Sequence, residues 1–521
     1  MRPGQTNPWL VAVIVSMATF MEVMDTSIAN VALRNIAGSM AVDLSDSTWI
    51  LTSYLVSNAI IVPTSGWLAS VMGRKRFYMA CVALFTGSSF LCGIAPTFGF
   101  LLIARVLQGL GGGGLAPSEQ AILTDSFPPE KRGMAFAFYG VAVVVAPAVG
   151  PALGGWVTDH FSWRWIFFIN LPVGIASLIL TYMFVEDSSS AKKEHERATR
   201  GGIKVDYVGF ALVALGLGCL QVILDKGQED DWFGSPFITS FVVISAVGIV
   251  GAIIWELFGT KDPIVDLPMF RDRSFFFANI MMFLNLFVLM STTQLLPRFV
   301  QEILPYNATK AGLILMPGGF VIIAFLPLVG ILVRKIQPKY LILTGFIIGA
   351  LALDNYCSFT PDASFKKIVL ARAFQGISVA FLFVPIQTLA YSNLPEGKSN
   401  NASALINLMR NLGGSVGISV GTTLLARRSQ VHQGYLTYHT TAVAPAFQHE
   451  LQNLTDQLFR YGTDPVDARK HALAMLYRET GRQADMLAYL DVFVVLMVGA
   501  LIAAGLTVFL KRMDLTRTSA H

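Results

Sequence analysis

The chain has 521 residues, of which 54% are hydrophobic and 14% are charged, and its mean hydropathy is +0.58. Soluble domains carry about 25% charged residues, so this composition excludes a soluble protein and indicates an integral membrane protein. The net charge of +5 is concentrated in short loops, where cations set membrane topology, and nucleic-acid binding is not predicted. The four cysteines lack metal-ligand spacing, so we predict neither a disulfide framework nor a metal site.

Apolar runs bounded by charged or turn residues predict fourteen membrane-spanning helices. No small-residue cleavage site follows the first run, so it is predicted to remain in the protein as span 1. An even number of spans places both termini on the same side of the membrane. The predicted spans are 9–33, 48–70, 77–96, 98–124, 133–157, 165–185, 206–225, 236–258, 275–298, 311–333, 339–358, 367–391, 400–426 and 489–510.

Lysine and arginine residues indicate which side of the membrane holds the termini. They cluster in the segments on the side of the termini, at residues 74–76, 131–132, 186–204, 334–335 and 511–512. Positively charged short loops stay in the cytoplasm, so both termini are predicted to be cytoplasmic.

The chain contains an internal repeat. Residues 104–109, Ala-Arg-Val-Leu-Gln-Gly, return 267 positions later as Ala-Arg-Ala-Phe-Gln-Gly at 371–376. A repeat of this size indicates two related halves, so we predict an all-α membrane protein with two six-helix bundles and two inserted helices. The predicted segments are an N-terminal bundle (1–185), a cytoplasmic, partly disordered linker (186–205), the inserted helices (206–260) and a C-terminal bundle (261–521) that includes a periplasmic loop (427–488).

Span 1 carries two carboxylates one helical turn apart, Glu22 and Asp25. In a medium of low dielectric constant they repel each other, so at least one is expected to bind a proton near neutral pH. A carboxylate that alternates between neutral and charged forms is what proton coupling requires. The alternative is a polar pair that only packs helices. Thr26 and Asn30 are candidate cavity-lining residues of the same span.

Span 4 carries a polar stripe. Arg105, Gln108, Gly112 and Glu119 fall on one face of a helical wheel, an arrangement that suits the wall of a water-filled cavity. The alternative is a structural ion pair that holds two helices together. The depths of Arg105 and Asp25 match, so their side chains can pair.

The second half repeats part of this stripe in span 12. Arg372 and Gln375 are the copies of the arginine and glutamine, and Gln387 lies further along the span. These three residues are further cavity-lining candidates. Arg372 lacks an acidic counterpart to Glu119 on its own helix, so we expect it to matter structurally and its loss to affect transport only mildly.

Two motifs combine glycine with proline or with a basic triplet. In span 5, prolines remove backbone donors and glycines allow close packing, so the span is predicted to be a bent gate element; close packing alone is the alternative. Between spans 2 and 3, glycines end the helices beside three cations. The span 5 residues are Gly140, Pro147, Gly150, Pro151, Gly154 and Gly155, and the loop residues are Gly66, Gly73, Arg74, Lys75 and Arg76.

The polar segment 427–488 is far longer than an ordinary connection between helices. Two short amphipathic helices are predicted within it, near 445–460 and 465–480, the second capped by Asp464 with Pro465 at its first position. Their apolar faces are predicted to lie on the protein's own outer surface or to dock a partner.

These motifs together resemble the major facilitator superfamily. Residues 66–76 look like its loop 2–3 signature, 105–109 like its proton-transfer motif, and 140–155 like the span 5 motif of exporters that work as antiporters. The usual aspartate of the loop signature is Ser70 here, which implies a weaker cytoplasmic charge network. Fourteen spans, residues 25–32 and residues 163–172 narrow the resemblance to drug:proton antiporters of the EmrB type.

The resemblance implies a bacterial inner-membrane exporter of amphipathic, drug-like compounds that works by alternating access. It assigns proton coupling to Asp25 and implies the proton gradient, rather than a cofactor, as energy source; roles for Glu22 and Glu119 are hypotheses. Members with a long outer loop work with a periplasmic membrane-fusion adaptor (EmrA-like) and an outer-membrane channel. The alternatives are a narrow-substrate antiporter for a metabolite, fatty acid or siderophore, and a transporter-like membrane sensor. No catalytic constellation is found, so an enzyme is not predicted.

Overall fold

The computed structural model describes residues 7–199, 206–260, 263–392, 394, 398–439, 444–461 and 464–510, and the regular structure within these ranges is helical. The first half contains α1 Pro8–Met40, α2 Leu44–Ser47, α3 Trp49–Met72, α4 Arg74–Gly93, α5 Phe98–Gly112, α6 Leu115–Ser126, α7 Pro129–His160, α8 Trp165–Phe168 and α9 Asn170–Phe184. Between the halves lie α10 Ser189–Thr199, α11 Tyr207–Lys226 and α12 Pro236–Ile254, which continues as a π-helix over Trp255–Gly259. The second half contains α13 Arg273–Glu302, α14 Ala308–Leu332, α15 Pro338–Cys357, α16 Phe365–Ala390, α17 Ser399–His439, α18 Pro445–Arg460 and α19 Pro465–Leu506.

Twelve helical segments in the described residues are long and apolar enough to cross a membrane. Helices α7 and α17 have 32 and 41 residues, and a span needs roughly 20. Counting both gives a total compatible with the fourteen predicted spans.

Polar side chains in the sequence determine where several helices begin. Asn7, Thr97, Asn307 and Ser364 precede α1, α5, α14 and α16, and each side chain accepts a hydrogen bond from a backbone N–H of the first turn. This contact satisfies a donor that the helix itself leaves free, so each residue fixes a start. At the other end, α1 stops where Ala41 adopts a left-handed conformation.

Three segments differ from their sequence predictions. The linker expected to be partly disordered forms α10, because Ala191 and Glu194 are buried and stabilise the helix. Span 13 does not end at residue 426 but continues as α17 to His439. The helix predicted near 465–480 and the last span form one continuous helix, α19, which begins at Pro465 as expected. Hydropathy marks where a helix leaves the apolar layer, not where the helix itself ends.

We name the two ends of the helices by the segments they carry. The terminal face carries Gly73, residues 127–128 and α10, and the distal face carries residues 41–43, residues 94–97 and α18. Helix α3 packs against α17, and α7 packs against α14 and α16, which joins the two halves. Asn400, the second residue of α17, accepts a hydrogen bond from Arg74, and Phe136 stacks on Tyr391 at 5.2 Å. The halves are therefore closed against each other at the terminal face.

Candidate functional site

An ion pair between α1 and α5 lies at the centre of the first half. The Arg105 Nη1 and Asp25 Oδ2 atoms are 2.7 Å apart. Arg105 is completely buried and Asp25 is 2% exposed. The sequence allowed this pair because the two depths match, and the structure brings the residues together. A buried cation or carboxylate alone would be costly inside a membrane, so each stabilises the other.

Three neutral side chains surround the pair and form with it what we call the Asp25 cluster: Asp25, Ser89, Arg105, Gln108 and Asn170. Asn170 and Gln108 donate hydrogen bonds to Asp25 Oδ1 at 2.6 and 3.0 Å. Gln108 also accepts from Arg105 at 2.6 Å and donates to Ser89 at 2.7 Å. The carboxylate therefore accepts three hydrogen bonds in a site without exposed surface, which fixes its orientation.

The Arg105 side chain is fixed by groups from two further elements. Its Nε atom donates to the Ile50 carbonyl at 3.0 Å, and its guanidinium carbon lies 4.5 Å from the Tyr54 ring centre. The Phe167 ring centre lies 5.7 Å away on another side. The guanidinium thus donates hydrogen bonds from its Nε and Nη1 atoms and places its face against aromatic rings, which a lysine ammonium would not reproduce.

Glycines allow the helices around the cluster to approach closely. A Cβ atom at Gly150 or Gly154 of α7 would lie within 3 Å of Ser27 or Ile28, one turn from Asp25. On α5, a Cβ atom at Gly112 would lie 2.4 Å from the Tyr54 hydroxyl. Larger side chains here would push α7 away from α1 and α5 away from α3, so the glycines position the cluster.

Glu22 and Glu119 lie outside the Asp25 cluster, in separate contacts. Glu22 accepts hydrogen bonds from Tyr54 at 3.1 Å and from Asn58 at 3.3 Å. Glu119 is completely buried and accepts a hydrogen bond from Ser16. The predicted stripe on span 4 is therefore divided, because Gly113 and Gly114 separate α5 from α6 and leave Arg105 and Glu119 in different surroundings.

Arg410 of the second half lies within electrostatic range of both glutamates, without a salt bridge to either among the described residues. It donates to the Tyr139 hydroxyl at 2.6 Å and interacts electrostatically with both Glu22 and Glu119. We call Glu22, Glu119, Tyr139 and Arg410 the interhalf cluster. A single cation of one half facing two carboxylates of the other makes the contact between the halves sensitive to the charge of those carboxylates.

A third group of charges lies at the terminal face and centres on Arg74. Its guanidinium contacts Asp125 at 2.7 Å, Glu194 at 3.2 Å and Asn400 at 2.7 Å. Burial raises the pKa of Glu194 above its ordinary range, and the Arg74 charge partly offsets this shift. We call these four residues the terminal-face network.

Ser70 was expected to weaken this network, but in the structure its side chain contacts a carboxylate of the network. The Ser70 hydroxyl lies 2.9 Å from Glu194 Oε1, so α10 supplies a carboxylate at the point where the loop signature has its aspartate. The sequence did not indicate this, since Glu194 is 124 residues away in the polar linker.

We expect Ser70→Asp to lower the initial rate of transport about tenfold. The new carboxylate would face Glu194 in a half-buried site, and unfavourable like-charge contacts of about 1.4 kcal/mol correspond to one factor of ten. The double variant Ser70→Asp/Glu194→Gln removes the repulsion and should recover most of the rate. The measurement is efflux from proteoliposomes driven by a pH gradient.

The matched control is Ser189→Asp, which adds the same charge at an exposed position at the start of α10. It should transport like the parent protein. A Ser70→Asp variant with full activity, or a double variant no better than the single one, would contradict the role given to Glu194.

In the second half, Arg372 has contacts of a different kind. Its Nη1 atom lies 2.6 Å from Gln375 Oε1 and 3.4 Å from the Thr292 hydroxyl, and its Nη2 atom donates to Thr293 at 2.9 Å. Tyr356 donates to the same Gln375 oxygen at 2.8 Å. Gln387 is buried on α16, away from these contacts, and neither polar atom of its side chain has a hydrogen-bond partner among the described residues.

The remaining candidates have smaller parts. Thr26 is half-buried and donates to the carbonyl of residue 23, while Asn30 and Arg76 are exposed. Gly66 and Gly140 lie at contacts between the halves. A Cβ atom added at Gly66 would lie 2.9 Å from Asn401, and a Cβ atom added at Gly140 would lie 3.2 Å from Leu326 and Phe383. Gly73, between α3 and α4, has a φ angle of +86°. Lys75 donates hydrogen bonds to Asp187 and to the carbonyl of residue 182. The carbonyl of Pro147 accepts a hydrogen bond from Ser27 at 3.4 Å, and Gly155 has open space beside it.

Two of these placements bear on the predicted gate element. Gly155 does not take part in close packing, in contrast to Gly150 and Gly154, because it lies on another side of α7. The side chain of Pro151 lies outside the described residues. Helix α7 continues from Pro129 to His160 across both prolines.

Sequence comparison places the chain among known proteins. The sequence profile of the Major Facilitator Superfamily matches residues 15–418, and the chain belongs to this family. It is 38% identical over 447 residues to the multidrug export protein EmrB of Haemophilus influenzae, covering 85% of this chain and 86% of that protein. It is 38% identical over 454 residues to the fatty acid resistance protein FarB of Neisseria gonorrhoeae, covering 87% and 88%.

The fold is shared with a solved transporter of the same superfamily. A double-tryptophan mutant of XylE has a TM-score of 0.65 against this structure, with 14% sequence identity and coverage of 98% of both chains. Together with the profile match, this confirms the predicted fold class: an all-α membrane protein with the major facilitator fold.

Sequence reasoning missed several residues of the clusters. Asn170 and Ser89 contact Asp25 or its neighbours, but a lone polar residue in an apolar run gives no signal of its partner. Asn170 lies within the motif 163–172, which was noted without a role for the asparagine. Arg410 is recognisable in the sequence as a charge within a predicted span, but its partners are not, and Asp125 is not singled out; both lie on helices that meet the other clusters only in the folded protein.

Proposed function

We propose that this chain is a proton-coupled exporter of amphipathic compounds that works by alternating access in the bacterial inner membrane. The observation that carries the proposal is the Asp25 cluster: a carboxylate, buried at the middle of the first half, with an arginine as its partner. When Asp25 binds a proton, the Arg105 charge loses its partner, and the balance between states of the transporter changes. The 38% identity to a multidrug export protein supports the same activity.

The sidedness belongs to this proposal. Arg74, Lys75 and Arg76 lie at the terminal face, and the positive-inside rule assigns such a face to the cytoplasm. The terminal-face network then closes the cytoplasmic side, as in a transporter that is open to the outside. The proton gradient supplies the energy, and no cofactor or catalytic chemistry is required.

The test is transport by the purified chain in proteoliposomes. An imposed pH gradient should drive movement of a fluorescent amphipathic cation against its concentration gradient, and nigericin, which collapses the pH gradient, should abolish it. Adding substrate should also cause a measurable movement of protons across the proteoliposome membrane. A chain that binds the dye but moves neither dye nor protons would be a sensor, which would overturn the proposal.

A narrower substrate range is the second candidate, and one observation favours it: a relative with 38% identity carries the name fatty acid resistance protein. A growth-inhibition panel in a pump-deficient host separates the two. Resistance to chemically unrelated amphipathic compounds supports multidrug export, whereas resistance confined to fatty acids supports the narrow exporter.

The distal extensions of α17 and α19, with α18 between them, are proposed to dock a periplasmic adaptor that leads to an outer-membrane channel. Their amphipathic faces close on each other, because Leu451 of α18 and Ala468 and Ala472 of α19 are buried. Other apolar side chains of the extension are exposed, and these form the docking surface we propose: Tyr435, Phe459, Tyr461, Leu473 and Met475.

We expect replacement of residues 434–476 by a short Gly/Ser linker to abolish drug resistance in cells while leaving transport in proteoliposomes within about twofold. This change keeps the base of the extension, where α17 is bound to α19. Arg428 and His432 of α17 both contact Asp491 of α19, at 2.5 and 2.7 Å. Because the buried contacts that are lost, those of Leu451, Ala468 and Ala472, lie within the tip itself and the contacts at the base are kept, the membrane part should stay folded.

A matched control exchanges the exposed Tyr435 and Tyr461 for serine within the intact extension. It should lower resistance without affecting purified transport. Loss of purified transport together with resistance would show that the tip belongs to the transporter's own fold, which was the second interpretation of its apolar faces.

A further inference from the structure

Each half carries one copy of the repeated arginine, and the two copies have different surroundings. The repeat distance identifies equivalent positions, so the surroundings can be compared residue by residue. Arg105 and Arg372 are 267 positions apart, as are Gln108 and Gln375. The same distance relates Asp25 to Thr292, and in the structure each contacts the arginine of its own half. Asp25 is thus replaced by a threonine in the second half, while the arginine is retained.

The neighbouring acidic positions are also uncharged in the second half. At the same distance, Glu22 corresponds to Leu289 and Glu119 corresponds to Ile386. The first half therefore holds three carboxylates inside its helices, and the equivalent positions of the second half hold a hydroxyl and two apolar side chains. Arg372 is left with an apolar environment and neutral partners.

Among the residues that the structure describes, Arg372 has no carboxylate within salt-bridge distance, although it is only 8% exposed. Hydroxyl and amide oxygens orient a guanidinium but do not neutralise it. A cation buried in a membrane protein is paired or faces a water-filled cavity, because an isolated charge in an apolar medium is strongly unfavourable. Arg372 therefore lacks a counter-charge among the described residues, and a ligand from outside the chain can supply one.

The guanidinium lies beside residues of α13 that are partly exposed. Its Nη2 atom bonds to Thr293, which is half-buried, and the next residue, Gln294, is exposed. Thr293 corresponds by the repeat distance to Thr26 of span 1. A ligand that approaches along this face of α13 meets a cation next to apolar side chains such as Leu289.

We propose that Arg372 binds the carboxylate of an amphipathic acid, and that the second half thereby contains a substrate subsite for anionic amphipaths. The guanidinium fork binds a carboxylate through two parallel hydrogen bonds, and the adjacent apolar side chains accept the hydrocarbon part. Thr292 in place of an aspartate keeps this cation free for the ligand. The inference rests on the proposed export function and names a substrate class for it. It gives a specific ligand to a residue that the sequence analysis lists as a cavity-lining candidate with a mainly structural part.

The test is equilibrium binding of 11-(dansylamino)undecanoic acid and its uncharged primary amide to the full chain in nanodiscs, with empty nanodiscs subtracted. We expect the acid to bind the unmodified protein at least tenfold more tightly than the amide. Arg372→Gln should reduce acid affinity to that of the amide and leave amide affinity within twofold, while Arg372→Lys should recover part of the difference. Equal binding of acid and amide by the unmodified protein would overturn the inference.

A second pair of variants tests the site without removing the arginine. Thr292→Asp supplies an internal partner as in the first half and should exclude the acid, whereas Thr292→Asn has the same size without the charge and should bind it. Acid binding that survives in Thr292→Asp would overturn the inference, as would an equal loss of acid and amide binding in Arg372→Gln. These measurements need no pH gradient. Intact export of a cationic dye without acid selectivity would therefore reject the subsite alone.

Discussion

Asp25→Asn is expected to reduce pH-gradient-driven export to the rate of protein-free liposomes, while substrate binding stays within a few-fold of the unmodified protein. Asparagine has nearly the same shape and keeps one acceptor oxygen for Gln108 or Asn170, but it cannot bind and release a proton. Coupled transport should therefore be lost without unfolding of the Asp25 cluster. Efflux and dye binding are measured on the same preparation.

The matched control for this variant is Asp225→Asn. Asp225 is another aspartate that accepts a side-chain hydrogen bond, from the Thr52 hydroxyl, but it lies at the distal end of α11 and outside the Asp25 cluster. It should keep proton-driven export. Glu22→Gln should have a smaller effect than Asp25→Asn, because Glu22 has no bond to Arg105 and accepts from Tyr54 and Asn58 instead. Substantial gradient-driven export by Asp25→Asn would exclude Asp25 as an essential coupling group.

Arg105→Ala is expected to destabilise the first half and to shift the pH profile of any remaining transport to higher pH. Removing one partner of a buried ion pair costs about 3–5 kcal/mol, because the other charge stays buried without compensation. The sign of the pH shift follows from the charge. Removing the cation leaves the negative charge of the cluster without its partner, which favours the neutral form of the site, so the midpoint of the transport pH profile moves upward. Thermal unfolding in detergent and export rates from pH 5.5 to 8.5 provide the two measurements.

Two comparisons test the same explanation for Arg105. Lysine should not restore the profile, because the arginine donates in different directions to Asp25, Gln108 and the Ile50 carbonyl. Arg372→Ala removes the copy that lacks a carboxylate partner, so it should leave the pH midpoint in place. An unchanged midpoint in Arg105→Ala would contradict the role of the ion pair in setting the proton affinity of Asp25.

The membrane class and the long helices could be predicted because the signal is local. An apolar run of roughly 20 residues has to bury its backbone polar groups in a helix, whatever its neighbours are. The caps at Asn7, Thr97 and Ser364 are likewise determined within one helical turn. The 267-residue repeat added the division into two halves, because related halves repeat the same motifs.

The candidate site was predicted in part. Matching depth allowed the contact of Asp25 with Arg105, which the structure contains at 2.7 Å. Depth did not determine which carboxylate pairs with the arginine, since Glu22 lies only one turn away. The helical wheel joined Arg105 and Glu119 on one face, and the interruption at Gly113 and Gly114 separates them.

By itself, then, the sequence determined that the chain is a membrane protein of helices, where most of those helices begin, and which charges are placed in the apolar layer. Only the tertiary structure decided the partners of those charges: Asn170 for Asp25, Glu194 for Arg74, and neutral side chains for Arg372. The physical reason is that burial and capping depend on neighbours along one helix. Pairing depends instead on how each helix is rotated against helices that are distant in the chain, and close-packing glycines such as Gly150 set that rotation only in the assembled bundle.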